Sequence, residues 1–228
     1  MYGRRYDGQD LRFEASGGLM HAALVMRDKE TDSYWSIMTG DAIAGDLKGT
    51  RLDELPQGEK TQWKDWVARH PDTLVLSVNG REHVENNPYD NYISSDSGFR
   101  GLKARDRRLQ TRDPVYAFHM GENKYAVPFS AFEGGAVLRA GGREFFVFRP
   151  KDVAVFYSTL AFRGAEGEFV RRADGWHHEP SGARFDAEQG RFVGGSGAAV
   201  TKLEGFDTYW YMWSLTHPDT EVLEPTAR

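Results

Sequence analysis

The sequence predicts a mainly β protein, a β-rich α+β chain of two repeated units. Each unit is expected to pack antiparallel strands, as a small sheet or partly open barrel, against a short Trp-x-x-Trp helix. Three observations carry this expectation. Runs rich in β-branched and aromatic residues, such as REFFVF at 143–148, are separated by Gly and Asp turns. Strands do not alternate with long helical patterns, which speaks against a doubly wound parallel sheet. One segment occurs twice, as WKDWVARHPDTLVL at 63–76 and WYMWSLTHPDTEVL at 210–223, displaced by 147 positions.

Each element follows from local chemistry. DKETDS at 28–33 alternates Asp28, Glu30 and Asp32 but lacks the glycine and distal glutamate of a calcium loop, so it reads as a polar hairpin turn. Trp63, Trp66 and Val67 stand at i, i+3 and i+4, one face of a short helix, and Trp210 and Trp213 repeat that spacing. Thr61 and Asp207 are the expected N-caps. Proline disfavours helical geometry in the residue before it, so the helices should end by Arg69 and Thr216, with His70 and His217 extended. Pro71-Asp72 and Pro218-Asp219 then suit a turn, and the apolar residues at 74–78 and 221–223 a strand.

Residues 79–113 form a polar, turn-rich connection, long enough to be functional or mobile. Beyond it, 115–129 reads as a hairpin with Gly121-Glu122-Asn123 in the turn, followed by strands at 143–148 and 153–162. Other stretches recur: LRFEASGG at Leu11 matches LAFRGAEG at Leu160, and SYWSIMTGDAIAG at Ser33 matches ARFDAEQGRFVGG at Ala183. The expected division is a first repeat at 1–80, an inter-repeat loop at 81–113 and a second repeat at 114–228. Nothing like the 115–129 hairpin precedes Tyr2, so the chain reads as beginning partway into its first repeat.

Composition removes several classes of function. The 228 residues suffice for one large or two small domains with a real core. A formal net charge of −5 argues against general affinity for nucleic acid or anionic membrane. The lack of cysteine excludes disulfides, thiolate zinc sites, iron–sulfur clusters and cysteine nucleophiles, and leaves the compartment open. No apolar run approaches the ~20 residues of a membrane span, and MYGRRYDGQD is too polar for a signal peptide.

The stretch HAALVMRDKETDSYWSIMTGDAIAGDLKGTRLDELP, with TQWKDWVARHPDTLVLS after it, resembles the bacterial and archaeal family catalogued as domain of unknown function 3179. The matching positions are Asp28, Thr31, Trp35, Thr39-Gly40, Ala42, Gly45, Leu47, Gly49, Leu52, Leu55-Pro56 and 63–73. NPYDNY at Asn87 and KYAVPFSAF at Lys124 fit as well. The resemblance implies no function. Many similar chains carry a cysteine-containing strand before the position of Tyr2, and often an export signal. This sequence has neither, which puts in doubt any chemistry those cysteines perform and leaves export open.

Three functional readings follow. The first is a non-catalytic binding or interaction module, joining a second copy or a partner chain at an open sheet edge. Within it, Arg105, Arg107, Arg108 and Arg112 of RGLKARDRRLQTR are candidates to dock an anion or partner. The second is a metalloprotein holding a divalent cation through His177 and Glu179, which share a strand face, or through the turn histidines His70 and His217. The third is a hydrolase with a carboxylate–histidine site between the repeats. No Gly-x-Ser-x-Gly, phosphate-loop or dinucleotide fingerprint is present. Trp35, Trp63, Trp66, Trp210 and Trp213 are expected to be structural.

Overall fold

The computed structural model describes residues 2–55, 62–76, 89–153, 158–165, 167–196 and 200–225. In chain order come β1 (Arg5–Tyr6), β2 (Gln9–Asp10), β3 (Phe13–Met20), β4 (Ala23–Asp28), β5 (Tyr34–Ser36) and β6 (Ala42–Ala44), then helices α1 (Trp63–Arg69) and α2 (Asp90–Ile93). Strands β7 (Pro114–Met120), β8 (Asn123–Pro128), β9 (Ala136–Ala140), β10 (Arg143–Phe148), β11 (Leu160–Gly164) and β12 (Phe169–Arg172) follow. The chain continues through β13 (Gly175–His178), β14 (Ala183–Asp186), β15 (Arg191–Val193), β16 (Thr201–Lys202) and β17 (Phe206–Tyr209) to α3 (Trp210–Thr216) and β18 (Glu221–Val222). The protein is mainly β, as expected, but no sheet closes into a barrel among the described residues. Two compact units interleave in sequence: 1–58 with 96–112 and 209–219, and 59–95 with 113–208 and 220–228.

The first unit holds the sheet β3-β4-β5-β6. Its core gathers Leu11, Trp35, Ala42 and Leu52, with Tyr6 and Phe13 meeting Trp35 edge-on at 6.4 and 5.9 Å. The DKETDS turn is organised by Asp28, which is fully buried. Its carboxylate accepts from Thr31 N (2.6 Å), Thr31 Oγ1 (2.9 Å), Ser33 N (3.3 Å) and the Trp35 indole Nε1 (2.7 Å). Burial raises the Asp28 pKa, but the bonds from Trp35, Thr31 and Ser33 outweigh it and hold the group below the usual carboxylate range. Glu30 pairs with Arg12 and Asp32 with Arg27, so each of the three acids has a protein partner, as a polar hairpin turn requires.

In the second unit β10 is the central strand. Its alternating side chains serve two cores, because successive residues point to opposite faces. Phe145 and Val147 join Phe118, Tyr125, Val127 and Leu138, while Phe146 and Phe148 join Phe162, Phe169 and Phe185. The first core lies toward the expected hairpin β7–β8, whose turn is Gly121-Glu122, while Asn123, expected in the turn, opens β8. The second lies toward the sheet β12-β13-β14-β15. Phe146 alone meets the rings of Phe148, Phe162, Phe169, Trp176, Phe185 and Phe192 at 5.0–6.4 Å.

The two four-stranded meanders share a register. Arg27 stands opposite Tyr34 and Trp35 opposite Ala42; 150 residues later His177 stands opposite Arg184 and Phe185 opposite Phe192. The pairing puts Phe169, opposite His178, in the place that Phe13 holds opposite Asp28. The sequence match of Leu11 with Leu160 differs from this, since β11 pairs with β10 and β16 in another sheet. Other expectations are also corrected. The strand expected at 153–162 begins at Leu160, with 154–157 outside the described residues. Leu74, Val75 and Leu76 form no strand, and residues 77 and 78 lie outside the described residues.

Candidate functional site

The repeated motif folds the same way twice at the local level. Both helices stop where proline dictates, and their C-caps adopt nearly one conformation, φ −134°, ψ 71° at His70 and φ −127°, ψ 77° at His217. His70 N donates to Trp66 O and His217 N to Trp213 O, each at 2.8 Å. Each imidazole packs on the tryptophan four residues earlier, with centroids 4.2 and 4.3 Å apart. The N-termini depart from expectation. Gln62 and Tyr209 precede the helices without a side-chain cap, Thr61 is outside the described residues, and Asp207 instead accepts from Thr159 N at 2.8 Å.

The surroundings of the copies differ sharply. In α3, Trp210, Tyr211, Trp213 and Ser214 are buried. In α1 no residue is buried, and Trp63 is 54% exposed. After α3, Glu221 and Val222 add parallel to β8, Leu223 N donates to Ala126 O (2.9 Å), and the Leu223 side chain enters the core. After α1, Leu74 and Leu76 are 93% and 91% exposed. Leu76 is the sequence counterpart of Leu223. Sequence reasoning missed this contrast, because an apolar run carries no mark of whether its partner strand is present.

The arginine-rich segment explains part of the burial of α3. Residues 96–112 wrap that helix as a strap. Trp210 Nε1 donates to Asp106 O (2.9 Å), Tyr211 N to Thr111 O (3.0 Å), and Phe99 N to Tyr211 Oη (3.2 Å). Gly98 lies against the Tyr211 ring, where a Cβ would approach to 2.6 Å. Arg108 pairs with Asp106 (2.6 Å) and lies over Trp210, and Arg112 lies over the Tyr209 ring at 4.6 Å. The Arg108 hydrogen bond lowers the Asp106 pKa. Two of the four candidate arginines thus brace the helix, while Arg105 and Arg107 face solvent.

Two of the candidate metal ligands, His177 and Glu179, each have a protein partner. His177 Nε2 pairs with Asp174 Oδ1 at 2.9 Å, and that hydrogen bond holds the Asp174 carboxyl below its usual range. Glu179 pairs with Arg172 at 2.5 Å. Among the described residues no three His, Cys, Asp or Glu side chains form a metal-binding group. His178, on the opposite strand face, has an arrangement that the sequence did not reveal. Its Nδ1 bonds Ser181 Oγ (2.8 Å) and its Nε2 faces Glu168 Oε2 (3.5 Å). Serine, imidazole and carboxylate in a row have the order of a nucleophile relay. Here the serine and histidine are both buried, and Oγ already accepts from Ala183 N. The trio fastens the β13–β14 turn as Asp28 and Thr31 fasten β4–β5.

No helix among the described residues is long and apolar enough to cross a membrane. Neither a curated protein nor a solved structure matches the chain. One family profile does, over residues 1–220. That span takes in the Asp28 turn, both Trp-x-x-Trp helices and the strap. The chain therefore belongs to the family described as protein of unknown function, DUF3179.

Proposed function

We propose that the protein is a non-catalytic interaction module that engages a protein partner through α1 and the apolar residues after it. The supporting observation is the contrast between two copies of one motif. The copy at 210–223 seats its helix in a packed unit and adds its final residues to the β8 edge. The copy at 63–76 has the same helix stop and the same His-on-Trp contact, yet exposes Trp63, Leu74, Val75 and Leu76. Exposed large apolar residues clustered in one segment mark interaction sites. A short extended segment gains main-chain hydrogen bonds by adding to a free strand edge, as Glu221 and Val222 do on β8.

The partner is thus a chain that offers a strand edge and an apolar seat for Trp63, and a second copy is the simplest case. The solvent-facing Arg105 and Arg107 supply a separate cationic surface for an acidic partner, while Arg108 and Arg112 are engaged on α3. The internal duplication belongs to the same reading, supported by the shared register of the two meanders. Sedimentation velocity over a wide concentration range tests self-association, with Leu76→Asp as control. Mass action toward a larger species in the wild type, lost in the variant, supports the reading. A monomer at every concentration, or association that Leu76→Asp leaves intact, overturns it.

A further inference from the structure

The sheet β3-β4-β5-β6 carries an apolar row that stays partly open to water. Leu19 stands opposite Leu24, and Ile37 N donates to Leu24 O at 3.4 Å, so the three side chains cross the sheet on one face. It is the face that Met26 and Trp35 turn to the core, because Leu24 lies two residues from Met26 and Ile37 two from Trp35. One row further along the strands the core ends, and Leu19 is 45% and Ile37 44% exposed. β3 is also the edge strand of this sheet, so an open strand edge runs beside the row among the described residues.

The other meander has no such row. By the register that sets Arg27 and Tyr34 in the places of His177 and Arg184, the positions of Leu24 and Ile37 fall to Asp174 and Ala187, both exposed. An acid and a small residue suit a solvated sheet end; Leu19, Leu24 and Ile37 do not. Their neighbourhood is uncharged as well. SGGLM, AALVM and SIMTG, at 16–20, 22–26 and 36–40, hold no Asp, Glu, Lys or Arg in a chain that is 28% charged. Such a seat fits an uncharged apolar segment and rejects a charged one. The chain carries that segment. Leu74 and Leu76 are the two most exposed large apolar side chains among the described residues, and Val75 lies between them. Their counterpart at 221–223 brings Glu221 and is already placed on β8.

We infer that the Leu19–Leu24–Ile37 row of one copy seats Leu74 and Leu76 of a second copy, and that the exchange is reciprocal. The inference rests on the proposed reading of α1 and names its seat. A closed pair uses each surface twice, which is the common way for identical chains to assemble. It would cover roughly 1,200 Å², the lower end of a specific interface, whereas one contact alone would cover about half of that, too little to hold two chains.

The chain has no cysteine, so Ile37→Cys and Leu76→Cys each give a chain with a single thiol. The two are mixed, one of them isotopically labelled, oxidised with copper–phenanthroline and separated by mass. Random encounter yields the mixed disulfide about as often as the two like disulfides together; the seat predicts an excess of the mixed one of about tenfold or more. Sedimentation velocity supplies the second measurement. Leu19→Asp and Ile37→Asp change side chains that are nearly half exposed, and each is expected to weaken self-association by about a hundredfold or more, because every dimer holds two seats and each seat gains an unpaired charge. A mixed disulfide no more frequent than the like ones overturns this seat, as does association lost in Leu76→Asp but kept in both seat variants, and either leaves the reading of α1 standing. A wild-type monomer at every concentration overturns both.

Discussion

Replacing one tryptophan from each copy of the repeated motif separates a packed helix from an unpacked one. Trp213 is fully buried and Trp63 is 54% exposed. A tryptophan side chain covers about 200 Å², and removing that area from water at about 25 cal/mol/Å² contributes roughly 5 kcal/mol. Trp→Ala changes in cores cost about 3–5 kcal/mol, so Trp213→Ala belongs at that level. The stacked His217 ring, 4.3 Å away, loses its support as well. Trp63→Ala removes a ring that already meets water over most of its surface, and its cost should stay below about 1 kcal/mol. At about 2–4 °C per kcal/mol for a chain of this size, the two variants differ by roughly 10 °C in melting temperature. Urea unfolding, followed by far-ultraviolet circular dichroism and by the remaining tryptophans, measures both midpoints. If Trp63→Ala were as damaging as Trp213→Ala, α1 would be packed on its own chain, and the reasoning from its exposure would fail.

Other perturbations follow from the same geometry. Asp28→Asn keeps the shape but loses the charge that three residues bond, and should cost about 2–4 kcal/mol in urea unfolding; a change under about 0.5 kcal/mol would refute the turn's dependence on that carboxylate. Because the folded Asp28 pKa lies below its unfolded value, its contribution is full above about pH 4 and fades as pH falls through the folded pKa, so an acid titration of stability should be shallower in Asp28→Asn. Gly195→Ala should destabilise the β13–β14 turn, since the new Cβ would lie 2.1 Å from Ser181 O at φ +78°; an unchanged melting curve would contradict this. Arg105→Glu with Arg107→Glu should leave stability within about 0.5 kcal/mol while Arg108→Ala lowers it, which thermal melts distinguish.

The helix ends were legible from single residues, because proline acts on its immediate neighbour and the rule needs no tertiary context. The β7–β8 hairpin and β10 were legible from composition and alternation. Asp28 was visible only as a member of a polar turn, since its burial depends on the Trp35 indole arriving seven residues later. The unequal fate of the motif copies was invisible. Both carry two tryptophans and an apolar tail, and burial is decided by what the rest of the chain brings to them. Trp210 is sheltered because the strap brings Asp106 to its indole, a contact spanning 104 positions. The strap itself read as part of a polar connection, because its arginines advertise charge while its backbone carbonyls at Asp106 and Thr111 hold the helix. The β13 histidines take their partners Asp174 and Ser181 from turns whose geometry spacing alone does not define.

The threading of the first unit bears on how the chain is made. That unit draws on 1–58, on 96–112 and on 209–219, so its early strands leave the ribosome long before the helix that completes it. At about 5–20 residues per second, synthesis of the intervening chain takes on the order of ten seconds or more. During that interval the β3–β6 meander can form through neighbouring pairings, while the surface later covered by α3 stays open. The second unit has most of its strands contiguous at 113–208, and only its edge strand β18 and Leu223 arrive after the first unit's helix. A ribosome stalled before Tyr209 would therefore hold an incomplete first unit, a target for chaperones and proteases.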